Sequence, residues 1–143
     1  MEGLQGKYPL VLSQELNWGD MDAFQHINNA VYFRYFEDAR IADFEKMKIV
    51  EHKNETQIGP ILASTRCDFR APLTYPDTIQ IATVVQDIRR KRFTMKYLVY
   101  SHRLKQVAAE GEGLIVYYDY QRGESCAIPP VIIASINALQ AGG

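Results

Sequence analysis

One stretch of the sequence has the pattern of a long helix, and this constrains the fold more than any other feature. The predicted helix begins at Asn28 or Asn29 and runs to about Met47. Either asparagine can cap its start, because the side chain can accept a hydrogen bond from an N–H of the first turn. Apolar side chains surround most of the axis in its first half, so we expect much of this helix to be buried. A single helix of this length can cover one face of a sheet.

Strand-like patterns surround this helix. Strand one is predicted within Pro9–Trp18, where Leu10, Leu12, Leu16 and Trp18 all fall on one side of a strand, as expected when one face is covered. After a polar stretch at Glu51–Gly59, four further strands are predicted at Ile61–Phe69, Thr78–Ile88, Phe93–His102 and Val107–Tyr120. The second and third of these alternate strictly between apolar and polar residues, which is typical of a sheet covered on one face. A short amphipathic segment, Val131–Leu139, follows two prolines and could be helical.

The order of these elements predicts an α+β fold in which an antiparallel five-stranded sheet wraps around one long central helix. We expect one domain over residues 1–143, since no repeat or low-complexity linker divides the chain. At 143 residues and 47% hydrophobic content, such a domain can form a core without disulfides or metals. The second sheet face has no partner within the chain, so it is either polar or an oligomer interface, and we expect a homo-oligomer.

Charge and composition exclude several classes of protein. The 16 Lys and Arg residues nearly balance 17 Asp and Glu residues, giving a net charge of −1, which argues against a dedicated nucleic-acid partner. No apolar run is long enough to span a membrane and no basic leader precedes one, so we expect no membrane association and a cytoplasmic location. Cys67 and Cys126 are far apart and are expected to be reduced thiols. The sequence has neither a nucleophile elbow nor a phosphate-binding glycine loop, and we expect no metal and no cofactor.

The densest polar cluster, Trp18–Asn29, lies directly before the long helix. It places carboxylates, an imidazole and two carboxamides beside a helix N-terminus, where free N–H groups favour negative charge. This arrangement could hold an oxyanion opposite a carboxylate base, as acyl transfer requires. The alternative is purely structural: Asp20 and Asp22 form turns, and Asn28 only caps the helix.

A family resemblance favours the chemical interpretation. The run DMDAFQHINNAVYFRYFEDAR, Asp20–Arg40, closely resembles the loop and helix of the hotdog-fold acyl-CoA thioesterases of the 4-hydroxybenzoyl-CoA thioesterase family. RCDFRAPLTYPDTIQI, Arg66–Ile81, looks like the second recurring stretch of that family, and the order of elements matches. The resemblance implies a hotdog fold and an acyl-CoA substrate. It also implies a homodimer or homotetramer whose sheets join edge to edge, with the site between subunits.

The same resemblance implies roles for individual residues. Asp22 falls on the loop carboxylate that either attacks the thioester carbonyl or activates a water as general base. Asn29 falls where a backbone N–H polarises the thioester C=O. His26 is expected to shape the loop through hydrogen bonds, although a catalytic role stays open. Gln25 stands where relatives most often have glycine, so the loop has less backbone freedom there.

Three further features remain open between two interpretations. Seven basic residues fall within Arg89–Lys105 without an intervening acid. They form either a solvated hairpin edge or, as the resemblance implies for Arg89, Arg90, Lys91 and Arg92, a site for the coenzyme A phosphates. Tyr32 either lines the acyl pocket or packs in the core. Glu37 matches the helix carboxylate of another hotdog branch, but here we expect it to pair with Arg40 or to order the loop.

The predicted function is therefore that of an acyl-CoA thioesterase, which hydrolyses an acyl- or aryl-CoA thioester to the free acid and CoA. The alternative is a non-catalytic module on the same fold that binds acyl-CoA or an acyl carrier, because a fold does not fix a function. A hotdog dehydratase or hydratase is a weaker alternative, since its paired His and acid elements are not recognisable.

Overall fold

A computed structural model describes residue 4 and residues 8–142 of the chain. Six strands and three α-helices follow one another in this range, with a short 3-10 helix, Trp18–Asp20, in the loop after the first strand. In chain order they are β1 (Leu10–Glu15), α1 (Asn29–Lys46), α2 (Ile49–Thr56), β2 (Ile58–Phe69), β3 (Thr78–Gln86), β4 (Arg92–Ser101), β5 (Gln106–Asp119), β6 (Glu124–Ser125) and α3 (Pro130–Gly142).

The strands form one antiparallel sheet in the order β1-β3-β4-β5-β2, and the two-residue β6 pairs with the end of β5. Alternate residues of the central strands point to one face, as their sequence pattern predicts. The buried members of this set are Ile79, Ile81, Thr83 and Val85 on β3, and Phe93, Met95, Tyr97, Val99 and Ser101 on β4. β2 lies at one edge of the sheet.

Helix α1 packs tightly against the centre of this buried face. The ring of Phe36 stacks on the ring of Tyr97, with the centroids 4.7 Å apart and the planes at 9°. Gly111 of β5 makes room for this pair, because a Cβ there would lie 2.4 Å from the Phe36 ring. A glycine in a strand is typical of such a close approach.

Two polar contacts lie inside this helix–sheet interface. The Arg40 guanidinium donates a hydrogen bond to the Tyr97 hydroxyl at 3.2 Å. The Thr83 hydroxyl donates to Oδ2 of Asp43, whose Oδ1 has no partner among the described residues. Burial disfavours the charged form of this carboxyl and raises the pKa of Asp43 to about 6.

The middle of the outer sheet face is charged, which matches the polar alternative for that face. Glu112 accepts hydrogen bonds from Arg66 and Lys96, each at 3.1 Å, across three neighbouring strands. The hydrogen bond from Lys96, followed by the charges of both cations, lowers the pKa of Glu112. Arg70 and Glu110 form a similar pair at 3.1 Å.

The structure corrects the predicted helix and strand counts. The polar stretch Glu51–Gly59 contains most of α2, so the long helix has two helical companions, and β6 adds a sixth strand. Helix α2 lies at the surface with only Ile49 buried, which explains its weak apolar pattern. Helix α3 confirms the helical interpretation of the C-terminal segment. Its Gln140 side chain bonds both the N–H and the C=O of Val85, where β3 extends beyond β1.

Candidate active site

The polar cluster before α1 folds as a small hairpin. Met21 and Ile27 form an antiparallel bridge, and the Asp22 N–H donates to the His26 carbonyl at 2.9 Å. The turn closes with a 3.0 Å hydrogen bond from the Gln25 N–H to the Asp22 carbonyl. Four residues of the predicted catalytic loop thus form one tight turn at the entrance of α1.

Gln25 makes this turn with a φ of 66°, in the left-handed region where glycine is the usual residue. The backbone therefore has the conformation that glycine favours, although the side chain is glutamine. A non-glycine residue in this region costs about 1–2 kcal/mol relative to the right-handed conformation. The reduced backbone freedom expected from the sequence is present as strain at this position.

The Asp22 carboxylate is exposed at the start of the turn. Its Oδ1 accepts a hydrogen bond from the Phe24 N–H at 2.9 Å, which fixes the orientation of the side chain. Within residues 8–142 no donor bonds its Oδ2. One carboxylate oxygen is thus anchored and the other is available for chemistry.

The start of α1 carries an available hydrogen-bond donor. Asn28 is the N-cap: its Oδ1 accepts from the Ala30 N–H at 3.0 Å, and its carbonyl accepts from the Val31 N–H at 2.9 Å. The Asn28 N–H itself donates to the Asp20 carbonyl. The N–H of Asn29 is left without an acceptor in the described chain, at the end of the helix dipole that favours negative charge.

These groups open onto one cleft of about 400 Å³. Ile27 ties the loop to the segment after β2 through a 2.9 Å hydrogen bond from its N–H to the Leu73 carbonyl. The cleft is lined by Asp22, Phe24, His26, Ile27, Asn29, Tyr32, Phe69, Arg70, Ala71 and Pro72. Four of the predicted site residues, Asp22, His26, Asn29 and Tyr32, therefore meet there.

The roles of His26 and Tyr32 become more specific. The His26 carbonyl holds the hairpin, but its imidazole makes no hydrogen bond to any described residue. Tyr32 is only 2% exposed and forms the floor of the cleft, where its ring packs edge-on against Phe69 at 4.9 Å. Burial of the phenol raises the pKa of Tyr32.

The cleft also contains residues that sequence reasoning did not assign to the site. Phe24 comes from the hairpin turn, Phe69 is the last residue of β2, and Arg70 follows it. The sequence signal for Phe69 and Arg70 is the stretch Arg66–Ile81, which contains both residues and resembles the family. Glu37 lines a separate groove between α1 and β2, and Arg40 donates to Tyr97 rather than pairing with Glu37.

The basic turn lies away from this cleft. Thr78 at the start of β3 pairs with Glu15, which leads into the loop that contains Asp22, whereas Arg89–Arg92 lie at the other end of β3 and β4. β4 has 10 residues, and at 3.3 Å per residue it separates the two ends by about 30 Å. Arg89 pairs with Asp87 at 2.9 Å. A single chain therefore does not bring Arg89, Arg90, Lys91 and Arg92 to Asp22.

Neither a metal-binding cluster nor a membrane-spanning helix is found among the described residues. Among them, no three His, Cys, Asp or Glu side chains are grouped so that they could hold a metal ion. None of the helices in the described range combines the length and the apolar character needed to cross a membrane.

A family model described as the thioesterase-like superfamily matches residues 16–136, which include the whole hairpin, α1 and the sheet from β2 onwards. The chain belongs to the thioesterase-like superfamily. The family membership expected from the sequence is confirmed, and thioester hydrolase is the enzyme class of this family. The curled antiparallel sheet with its helices is consistent with the hotdog fold.

Individual relatives cover most of the chain. The long-chain acyl-CoA thioesterase FadM of Escherichia coli is 22% identical over 108 residues, which are 76% of this chain and 82% of that protein. A thioesterase from Thermus thermophilus, solved with coenzyme A and zinc, is similar with a TM-score of 0.84 and 24% identity, covering 96% of this chain and 98% of that one. A DHNA-CoA thioesterase from Staphylococcus aureus is similar with a TM-score of 0.80 and 17% identity, covering 92% and 90%.

Proposed function

We propose that this protein is an acyl-CoA thioesterase that hydrolyses an acyl- or aryl-CoA thioester to the free acid and CoA. One observation carries the proposal: the Oδ2 of Asp22 and the N–H of Asn29 line the same cleft, and neither has a hydrogen-bond partner among the described residues. A thioester carbonyl placed between them meets a base or nucleophile on one side and a hydrogen-bond donor on the other. This is the arrangement that acyl transfer requires.

The donor at Asn29 acts on the charge that develops during the reaction. As the carbonyl carbon is attacked, negative charge accumulates on its oxygen, and a backbone N–H at a helix N-terminus stabilises that charge more than it stabilises the ground state. The role belongs to the backbone amide, so it does not depend on the asparagine side chain. The cap at Asn28 and its bond to Asp20 hold this N–H in place.

Asp22 supplies the second group in one of two ways. As nucleophile, Oδ2 attacks the carbonyl carbon, the C–S bond breaks, and the thiolate leaves and takes up a proton as CoA-SH. Water then hydrolyses the mixed anhydride to the free acid and regenerates the carboxylate. As general base, the carboxylate removes a proton from a water that attacks the same carbon, and the C–S bond breaks in the same way. Both routes consume one water and release one acid and one thiol.

The relatives support a CoA thioester as the substrate. The name of the Escherichia coli relative is long-chain acyl-CoA thioesterase, and the Thermus thermophilus thioesterase was solved with coenzyme A. The anionic coenzyme needs cations, and the basic turn Arg89–Arg92 is the cluster that the sequence predicts for its phosphates.

A homodimer joined at β2 would reconcile the basic turn with its distance from Asp22. β2 is an edge strand, and its residues from Leu62 to Arg66 are exposed. If two β2 strands pair antiparallel around a two-fold axis, the Phe69 end of one lies beside the Ile58 end of the other. The Ile58 end is the end of the sheet at which the basic turn lies. The basic turn of one subunit would then lie at the same end of the dimer as the cleft of the other subunit. This holds for a dimer and for a tetramer built from such dimers.

The test measures thiol release from short, medium, long and aryl acyl-CoAs by the wild-type protein, together with direct binding of the same compounds. Stoichiometric release of CoA-SH with turnover supports the proposal. Saturable binding of acyl-CoA without thiol release across the whole panel would instead indicate a binding module on the same fold.

A further inference from the structure

Among the described residues, the most exposed large hydrophobic side chain lies close to Asp22 in the chain. Phe24 is 82% exposed at the tip of the hairpin turn. Its backbone N–H donates to the Asp22 carboxylate at 2.9 Å. Phe24 therefore orients the proposed catalytic group through its backbone and bears an exposed ring next to it. Trp18, on the same loop, is 71% exposed but does not line the cleft.

The surroundings of Phe24 divide the cleft into a polar and an apolar part. Asp22, His26 and the start of α1 form the polar part, and Arg70, whose guanidinium pairs with Glu110 at 3.1 Å, also borders the cleft. Phe69, which is 44% exposed and packs its ring on Tyr32, lines the same cleft, so two exposed aromatic residues from different elements border it. An apolar group between them would remove the exposed faces of both rings from water, which is favourable in proportion to the area buried.

We propose that Phe24 is a specificity residue that closes over the acyl group of the substrate, so that the cleft selects thioesters of apolar acids. This inference rests on the proposed thioesterase function and identifies its substrate class. The thioester carbonyl lies at Asp22 and Asn29, and the acyl group extends from there between Phe24 and Phe69. Each methylene that the aromatic walls bury in the transition state would then raise kcat/KM by a factor of up to about four, which corresponds to 0.8 kcal/mol per CH₂.

The experiment measures kcat/KM for a series of straight-chain acyl-CoAs of increasing length with wild type and Phe24→Ala. Alanine keeps the backbone N–H that bonds Asp22 and removes only the ring. Trp18→Ala is the matched control, since it removes another exposed aromatic ring from the same loop, one that does not line the cleft. The measured quantity is the factor by which kcat/KM rises with each added methylene. We expect this factor to fall by at least half in Phe24→Ala and to stay at the wild-type value in Trp18→Ala.

Two results would overturn this inference. The first is a loss in Phe24→Ala by the same factor for every acyl length, because that would place the ring against the part of the substrate common to all of them. The second is a change in oligomeric state of Phe24→Ala in analytical ultracentrifugation, because that would make the ring a subunit contact. The proposed function fails separately, through the absence of thiol release by the wild type on any substrate.

Discussion

Replacing Asp43 by asparagine should remove a pH dependence of stability that originates in the core. Asp43 is 1% exposed, one of its oxygens accepts from Thr83, and the other is unpartnered in the described structure. Its pKa of about 6 in the folded protein compares with an ordinary value of 3.8. A difference of about two pKa units corresponds to about 3 kcal/mol, at 1.36 kcal/mol per unit.

The sign follows from which state holds the proton. Between pH 4 and pH 6 the folded state binds the proton more tightly than the unfolded state, so the free energy of unfolding falls as the pH rises. The full contribution is present below pH 4 and is lost above pH 6. Asparagine has no proton to lose and can still accept from Thr83, so the variant should lack this decrease.

Urea unfolding at fixed protein concentration, at half-unit steps from pH 4 to pH 7.5, measures the effect. The difference in unfolding free energy between Asp43→Asn and wild type should shift by about 3 kcal/mol in favour of the variant across this range. Asp68→Asn, at an exposed position on β2, is the matched control and should run parallel to wild type. Stability curves of Asp43→Asn and wild type that stay parallel over the whole range would refute the reasoning.

Two further substitutions test the local geometry by urea unfolding. Gly111→Ala would place a Cβ 2.4 Å from the Phe36 ring and 2.8 Å from the Arg66 carbonyl oxygen, so we expect a loss of about 1–3 kcal/mol. Gly19→Ala, which meets nothing within 4 Å, should change stability by less than about 0.5 kcal/mol, and equal effects of the two would contradict the packing argument. Gln25→Gly should raise the unfolding free energy by up to about 1 kcal/mol, because glycine adopts a φ of 66° without strain. A decrease in stability of this variant would show that the left-handed turn is not strained.

The fold could largely be predicted where one physical pattern dominates. The alternation of apolar and polar residues on β3 and β4 indicates a sheet with one buried face. The asparagine before an apolar run indicates the start of α1. Helix α2 is not predicted from the sequence because it is eight residues long and only Ile49 is buried. Its apolar residues therefore do not recur with the spacing of a helix. Its polar and charged composition is also typical of a loop, so the composition alone does not distinguish the two.

The candidate site was predictable to the extent that it is local. Asp22, His26 and Asn29 fall within eight consecutive residues, so a single hairpin and helix start bring them together. The part of the cleft at Phe69 comes from a distant stretch of the chain, which the hydrogen bond between Ile27 and Leu73 ties to the loop, and no local pattern reveals that contact. The seven basic residues within Arg89–Lys105 form one group in the sequence, but β4 runs through this range and separates its two turns by the length of the strand.

The most direct test of Asp22 as the reacting carboxylate is steady-state thiol release by Asp22→Asn on the best acyl-CoA substrate. Glu37→Gln is the control, because Glu37 is the helix carboxylate that lies in a different groove. We expect kcat to fall by about 100-fold or more in Asp22→Asn, with the fold and coenzyme A binding retained, and to stay within about twofold of wild type in Glu37→Gln. A kcat of Asp22→Asn equal to that of wild type would contradict the assignment.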